Sequence, residues 1–387
     1  MKTAIATLAV VLLSAASSAT TWHVAQDGSG DFSVIQDAVD AASPGDTIWI
    51  HAGRYTERTS NYDVWGDGSN YAEVHVAITV DDLTLIGDGR DATIIGPTEY
   101  PSPPYDQYYG ICVAASNISS FAVRDLAVET AYNGILAGRG SVDIQRCRFE
   151  RTPIDGVTIY TASGCTIVDC SFVDLVGTGV TSWWPSEDIV ISNCEFDDCD
   201  ANYFVTSQNV LVEECVFTGG VVSLNFQQGT SGEVTGCEIS GYENYGFAAQ
   251  ASAVVSVTST NIVGGGGGGV YVSGSSVVID DSTISGQWGG NLEIAGGGTL
   301  EVHNSNIING GGWSVLCRNA GTSDCHLDMT NNYWGTDLQQ QIEEWISDSN
   351  DVPDRCCEVD FIPFSGIVPV ESHTWTEVKQ IFRPSGR

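Results

Sequence analysis

One short phrase recurs along most of this chain. It runs aliphatic, polar, polar, small, polar and then large apolar. It reads Ile144-Gln-Arg-Cys-Arg-Phe149, Ile167-Val-Asp-Cys-Ser-Phe172, Ile191-Ser-Asn-Cys-Glu-Phe196, Val212-Glu-Glu-Cys-Val-Phe217 and Val234-Thr-Gly-Cys-Glu-Ile239. It continues as Val257-Thr-Ser-Thr-Asn-Ile262, Ile279-Asp-Asp-Ser-Thr-Ile284 and Val302-His-Asn-Ser-Asn-Ile307. The fourth position falls at 126, 147, 170, 194, 215, 237, 260, 282, 305 and 332, a period of about 22 residues. A second phase lies between the phrases, in Gly134-Ile135, Gly156-Val157, Gly179-Val180, Gly246-Phe247 and Gly269-Val270. Each unit therefore holds short β-branched strands separated by Gly, Asn, Ser and Asp turns, with no room for a helix. Three short strands per unit, each coil pairing with the next, make a parallel β-solenoid. The Leu-x-x-Leu-x-Leu pattern of leucine-rich repeats is absent, and ankyrin and tetratricopeptide units are longer and helical. About twelve coils at ~4.8 Å each would build a rod of roughly 55 Å.

A solenoid exposes core and unpaired edges at both ends, so each end needs a cap. Ser33-x-x-Gln36 reads as a capping box, and Phe32, Ile35, Ala38, Val39 and Ala42 form one apolar helical face that Ser43-Pro44-Gly45 ends. At the other end Leu338, Ile342, Trp345 and Ile346 make a similar stripe after Asp337. Both helices are expected to be lids.

These residues resemble the right-handed parallel β-helix proteins of the pectin-lyase-like superfamily, from Thr21 to about Phe364. Asp27-Gly-Ser-Gly-Asp-Phe32, with Ile35-Gln-Asp-Ala-Val39 and Gly45-Asp-Thr-Ile48, is similar to the start of pectin methylesterases and related solenoids. Asn331-Asn-Tyr-Trp-Gly335, then a short helix and Val359-Asp-Phe-Ile-Pro-Phe364, is similar to the terminal coil of many bacterial β-helix proteins. In that superfamily an Asn often fills the inward turn position where this chain has Cys147, Cys170, Cys194, Cys215, Cys237, Thr260, Ser282, Ser305 and Asn332. The resemblance implies an all-β right-handed parallel β-helix of about 12 coils with short helical caps at both ends. It fixes the fold far more tightly than the function.

The ends of the chain fall outside the repeat. Residues 1–19 read as a signal peptide: Lys2, a small apolar run from Ala4 to Ala16, and a Ser17-Ser18-Ala19 cleavage site. The β-helix domain is then 20–364, with 20–50 as N-terminal cap and first strand and 331–364 as terminal coil and cap. Residues 365–387 form a tail in which Trp375, Val378 and Phe382 lie between Pro369 and Pro384. Lys379, Arg383 and Arg387 give it a basic end, so it is a candidate sorting or docking segment. A secreted or cell-surface protein with no transmembrane segment follows.

Charge narrows the partners. Forty-nine acids face fourteen Lys and Arg, a net charge of −35, and no cation lies between Thr152 and Leu316. Nucleic acid is excluded, because its binding needs a basic footprint. A polyuronate would be repelled unless Ca²⁺ bridged carboxylates on both sides, so a neutral glycan is the more economical partner and Ca²⁺ the one cofactor the charge suggests.

Twelve cysteines in an exported chain raise the question of disulfides. Five share one column of the repeat, where a buried ladder of small thiols is favoured over bonded pairs. Cys317 and Cys325, eight apart across a loop, are the better disulfide candidates, and Cys165 and Cys199 could pair with neighbours in adjacent coils. No Cys-x-x-Cys pair or nearby His supports a metal site.

On this fold, substrates usually lie along the outside of one strand of each coil. With Val157, Val180, Phe204, Leu224, Phe247, Val270 and Leu292 inward, alternation turns Tyr160, Trp183, Tyr203, Asn225, Gln227, Gln250, Tyr271 and Glu293 outward. Aromatics and amides in a row suit sugar rings and their hydroxyls. The segments Tyr55–Val74 and Pro97–Gly110, with Trp65, Tyr71, Tyr100, Tyr105, Tyr108 and Tyr109, either wall this groove or pack down over the early coils.

Catalytic signatures are missing. The Gln-Asp pair and later Asp-Phe-Ile-Phe-Gly-like segment of pectin methylesterases are absent, as is the Gly-His-Gly setting of polygalacturonases. Arg139, Arg146, Arg148 and Arg151 cluster amid acids as an ion-paired patch, leaving Arg318 apart. Glycoside hydrolysis needs two carboxylates about 5–10 Å apart, whereas Asp155 and Glu293 stand about six coils apart. The leading expectation is a polysaccharide-binding β-helix with unknown catalytic residues. The alternatives are a carbohydrate-active enzyme (lyase, epimerase or hydrolase) with a divergent site, or a structural spacer.

Overall fold

A computed structural model describes residues 19–64, 68, 71–99, 111–318, 325–352 and 357–365. Residues 1–18 of the expected signal peptide and 366–387 of the expected tail lie outside the described residues, as do Trp65, Tyr100, Tyr105, Tyr108 and Tyr109. The chain winds as a parallel β-helix whose longest regular ladder has twelve strands, one per coil. A typical coil has a strand of this ladder (Ser141–Gln145), a three-residue strand (Arg148–Glu150) and a six-residue strand (Asp155–Tyr160). Each pairs in parallel register with its counterpart in the next coil.

The repeated phrase is the first corner of each coil. Its aliphatic residue forms one continuous buried column, Ile144–Ile167–Ile191–Val212–Val234–Val257–Ile279–Val302. The third position turns the chain with a positive φ, as at Arg146 (52°), Asp169 (56°), Asn193 (52°), Gly236 (64°) and Asn304 (51°). Asn, Asp and Gly tolerate that conformation best, which explains their frequency there. The fourth position points inward and ties coils together. Its backbone N–H donates to the side chain one coil on: Cys147 to Cys170 Sγ (3.4 Å), Cys237 to Thr260 Oγ1 (3.3 Å), Ser282 to Ser305 Oγ (3.0 Å) and Ser305 to Asn332 Oδ1 (2.9 Å). The sixth position stacks: Phe149, Phe172, Phe196 and Phe217 follow one another with ring centroids 4.7, 4.6 and 4.7 Å apart.

The glycine phase has a steric cause. A Cβ on Gly156 would sit 2.8 Å from Phe172 Cδ1, and one on Gly269 would sit 2.8 Å from Ile284 Cγ2. The large residue of the next coil occupies the space a side chain would need.

Both caps exist, with corrections. The N-terminal helix is Ile35–Ala41 and buries Ile35, Ala38 and Val39. The expected capping box does not form: Val34 is the N-cap, and no side chain caps the helix. Gln36 instead accepts the Ala77 N–H (2.8 Å) and donates to the Ala77 carbonyl, so its amide continues a strand edge. The C-terminal helix, Gln339–Trp345, buries Ile342, while Leu338 is exposed at its N-cap and drops out of the expected stripe.

The cysteine ladder is a column of buried thiols at 147, 170, 194, 215 and 237, and Cys165 and Cys199 are buried thiols too. The Cys317–Cys325 expectation is not met: Cys317 is a buried thiol that follows Ile294 in an inward column. Cys325 opens a separate strand, Cys325–Asp328, paired with Cys357–Asp360, and Cys357 is disulfide-bonded.

Candidate functional site

The six-residue strands present a flat outer face. Val157, Val180, Leu224, Phe247, Val270 and Leu292 are fully buried on its inner side, so the alternate residues stand outward. The structure brings all eight expected residues to this face, in two adjacent columns. One column holds Tyr203, Asn225, Tyr271 and Glu293, with Ala248 between Asn225 and Tyr271. The other starts with Tyr160 beside Trp183 and resumes with Gln227 beside Gln250. Two columns follow from alternation itself, because Asn225 and Gln227 are successive outward residues of one strand, while irregular pairing between Ala201 and Tyr203 puts the inward Phe204 beside Ser182 and Phe226 instead of Val180 and Leu224. At this bulge Asn202 stands in for the backbone, accepting from the Val180 N–H (2.8 Å) and donating to the Ser223 carbonyl (2.9 Å). Trp183 is 40 % exposed, Asn225 is buried, and the other six are half-buried.

The face differs along its length. Its early coils are covered: Thr59–Asp63 pairs antiparallel with Tyr71–Ile78, and Val64, Ala72 and Val74 pack with the outward Ala77, Ala114 and Leu136. Tyr62 pins the flap through its hydroxyl, 2.8 Å from Ser116 Oγ. Of the two arrangements the sequence leaves open for 55–74, packing down is the one observed. Tyr55 turns into the core, its hydroxyl donating to the carbonyls of His51 (2.9 Å) and Val24 (3.2 Å), while Tyr71 is exposed.

Next along the face comes Asp155, a buried carboxylate that accepts from Thr158 Oγ1 (2.7 Å), Thr181 Oγ1 (3.1 Å) and Thr178 Oγ1. Burial raises its pKa above the usual carboxylate value, and the three hydroxyls offset part of that rise.

Farther on lies a cluster that the alternation argument only half found. Tyr245 leans over Gly268, where a Cβ would meet its ring at 2.7 Å. It stacks on Tyr271 with centroids 4.9 Å apart and reaches Glu293 Oε2 with its hydroxyl at 3.2 Å. Arg318 Nε meets Glu293 Oε1 at 2.7 Å. Burial, and then the Glu293 charge, push the Tyr245 hydroxyl up to about 12, so it stays a donor. Sequence signals for both added residues exist. Tyr245 is a bulky residue in a column that continues as Gly268 and Gly290, and Arg318 is the first cation after Arg151.

Three of the four arginines of the expected patch are ion-paired, whereas Arg139 donates to the neutral Asn117 Oδ1 (2.9 Å). Arg146 binds Asp125 in a two-point contact (2.7 Å each), and Arg148 and Arg151 converge on the buried Glu129 with Arg54, which the sequence argument did not include. The Asp197-Asp198 and Asp280-Asp281 pairs serve as turns: Asp198 and Asp281 have φ of 54° and 49°. Among the described residues, no group of three or more His, Cys, Asp or Glu is arranged to hold a metal ion. Among them too, no helix is long and apolar enough to cross a membrane.

Solved structures similar to this chain include the periplasmic alginate epimerase AlgG, at 9 % identity and TM-score 0.47, covering 71 % of this chain and 75 % of that one. Pectate lyase Pel9A matches at 14 % identity and TM-score 0.46 over 90 % of each chain. The catalytic domain of a GH87 α-1,3-glucanase in complex with nigerose matches at 14 % identity and TM-score 0.46, covering 85 % of this chain and 66 % of that one. Among curated proteins no sequence match is found. The family described as "Right handed beta helix region" matches residues 109–223 and 220–336, which together span more than half of the chain. With the twelve-strand ladder and the in-register coils, that match makes this chain a member of the right-handed β-helix family.

Proposed function

We propose that this is an exported protein that binds a polysaccharide along the outer face of its six-residue strands, without chemistry of its own. The carrying observation is the pair of adjacent outward columns, in which Trp183, Tyr203 and Tyr271 alternate with Asn225, Gln227 and Gln250. Aromatic faces stack on sugar rings and amides pair with hydroxyls, and the coil repeat of ~4.8 Å is close to the length of a pyranose. The carboxylates of the face support binding over hydrolysis. Asp155 and Glu293 stand six coils apart, at ~4.8 Å per coil, and each is already engaged by side chains of the protein.

The test is affinity gel electrophoresis of the purified protein across a panel of soluble neutral and acidic polysaccharides, beside reducing-sugar and unsaturated-uronate assays with Ca²⁺ or EDTA. Retardation by a polysaccharide, weakened about tenfold by Trp183→Ala and unaccompanied by product, is the expected result. Product from any polymer would replace this reading with an enzymatic one, and the absence of all retardation would leave a structural spacer. N-terminal sequencing of the exported protein is expected to begin near Thr20.

A further inference from the structure

Resting on that reading, we infer that Tyr245, Tyr271, Glu293 and Arg318 form a separate subsite on the face, built to hold a vicinal diol of a neutral sugar. Three observations carry this. First, Glu293 and Arg318 present an acceptor and donors side by side. The carboxylate accepts from Arg318 Nε at 2.7 Å and from the Tyr245 hydroxyl at 3.2 Å, and it keeps lone-pair capacity. The Arg318 side chain is 61 % exposed and spends only Nε and Nη2 on Glu293, so N–H groups remain for a ligand. A diol matches this pair, one hydroxyl donating to the carboxylate and its neighbour accepting from the guanidinium.

Second, the subsite has a rigid wall and an open floor. The Tyr245 and Tyr271 rings are stacked at 23° and 4.9 Å. Beside them the second outward column carries Ser273 and Ala295, small half-buried residues that leave room for a ring lying on the sheet. Tyr245 cannot swing freely, because its hydroxyl is held by Glu293 and its ring lies against Gly268.

Third, the charge selects against acids. Arg318 is neutralised by Glu293, and no other Lys or Arg occurs between Thr152 and Leu316. A carboxylate or sulfate would have to displace Glu293 from its partner inside an acidic surface, whereas hydroxyls add to the pair without breaking it.

The experiment uses the full secreted protein with dextran, galactomannan, xylan, polygalacturonate and alginate as probes in affinity electrophoresis. Wild type, Glu293→Gln, Arg318→Ala, Tyr271→Ala and Trp183→Ala are compared, each checked by thermal unfolding. These side chains stand outside the core, so the melting temperature reports whether any effect is one of folding. Wild type is expected to be retarded by a neutral polymer and not by either uronate. Glu293→Gln and Arg318→Ala are each expected to lose about tenfold in affinity, and the double variant little more than either alone, because the pair acts as a unit. Unchanged neutral-glycan affinity in Glu293→Gln, Arg318→Ala and Tyr271→Ala, with loss in Trp183→Ala, would overturn the subsite and leave the face reading standing. Retardation of wild type by uronates alone would overturn the neutral diol, and no retardation by any probe would sink both readings.

Discussion

The two halves of the rod solve the same problem with different side chains. From Cys147 to Cys237 the inward corner position is a thiol, and two residues later a phenylalanine fills the interior until Ile239. From Thr260 onward the corner is a hydroxyl or, last, an amide, and the interior residue is isoleucine until Trp334 follows Asn332. The hydrogen bond across coils is the same in both, from backbone N–H to side chain, at 3.4–3.5 Å to sulfur and 2.9–3.3 Å to oxygen. Each side chain also donates back to the carbonyl two residues earlier: Cys194 Sγ to Ser192 (3.3 Å), Thr260 Oγ1 to Thr258 (2.9 Å). The corner therefore asks for a small side chain with one donor and one acceptor, and leaves the element open. Outside, the halves diverge in use: the first is partly roofed by the 59–78 flap, and the second lies open with Tyr245, Tyr271, Glu293 and Arg318.

The interior should separate the halves most strongly. Phe196 is stacked on both sides, at 4.6 Å from Phe172 and 4.7 Å from Phe217. Phe196→Ala is expected to cost about 3–5 kcal/mol, because a large buried ring leaves a cavity that two flat neighbours cannot collapse into. Ile262→Ala in the other half should fall in the lower part of a ~2–5 kcal/mol range. Denaturant unfolding of both variants checks this. An equal loss would mean that the aromatic stack adds nothing beyond its volume.

Much of this division can be read in the sequence. Period, strand type and inward register follow from single residues recurring at fixed offsets, because in-register parallel coils put like beside like. Even the glycine phase is visible, and the structure supplies its reason in the rings that approach Gly156 and Gly179. Local breaks in the repeat are not legible. The register break at Asn202 moves Phe204 out of the inward column of Val180 and Leu224, and nothing in the strand pattern marks it. The flap over Leu136 is a long-range contact between segments about seventy residues apart in sequence, which no short pattern encodes. Tyr245 was missed because it begins its strand and reaches two coils along the rod, where alternation describes only a side chain's own position. The Ser33 capping box failed for a related reason: Gln36 found a better partner in the strand edge at Ala77.

Acid should distinguish the roofed half. His75 lies in the flap strand, 4 % exposed, with Nδ1 2.9 Å from the Glu57 carbonyl and Nε2 without a partner. Burial lowers its pKa from 6.5 to about 4, so the fold holds it neutral. The unfolded segment takes up a proton near 6.5, hence the stabilisation is fully present above that pH. It is lost as pH falls from 6.5 towards 4, by up to about 3 kcal/mol. Hydrogen-exchange protection of peptides from 71–78, relative to the intrinsic rate at each pH, is expected to fall over this window, and that of peptides from 245–308 to remain constant. Protection in 71–78 that ignores pH, or that still falls in His75→Gln, would show that another group governs the flap.

The smallest effect belongs to the corner itself. In Cys194 the sulfur accepts nothing that an oxygen could not: the thiol takes its place between the backbone of Cys170's coil and the Cys215 side chain, and donates to Ser192 and Ile167 carbonyls at 3.3 and 3.4 Å. Burial pushes the Cys194 thiol up, and the neighbouring Cys165 and Cys199 thiols up to about 11 and about 12, so Cys194 keeps its proton for such donation. Cys194→Ser shortens the side chain's reach but keeps donor and acceptor, as Ser282 and Ser305 do in the second half. It is expected to change unfolding free energy by less than about 1.5 kcal/mol. Cys194→Val keeps the volume and removes both functions, leaving buried backbone groups short of a partner. Its cost should exceed that of the serine variant by about 1–3 kcal/mol. If valine proves the milder of the two, the column is held by size alone, and the resemblance between the thiol and hydroxyl halves is one of shape.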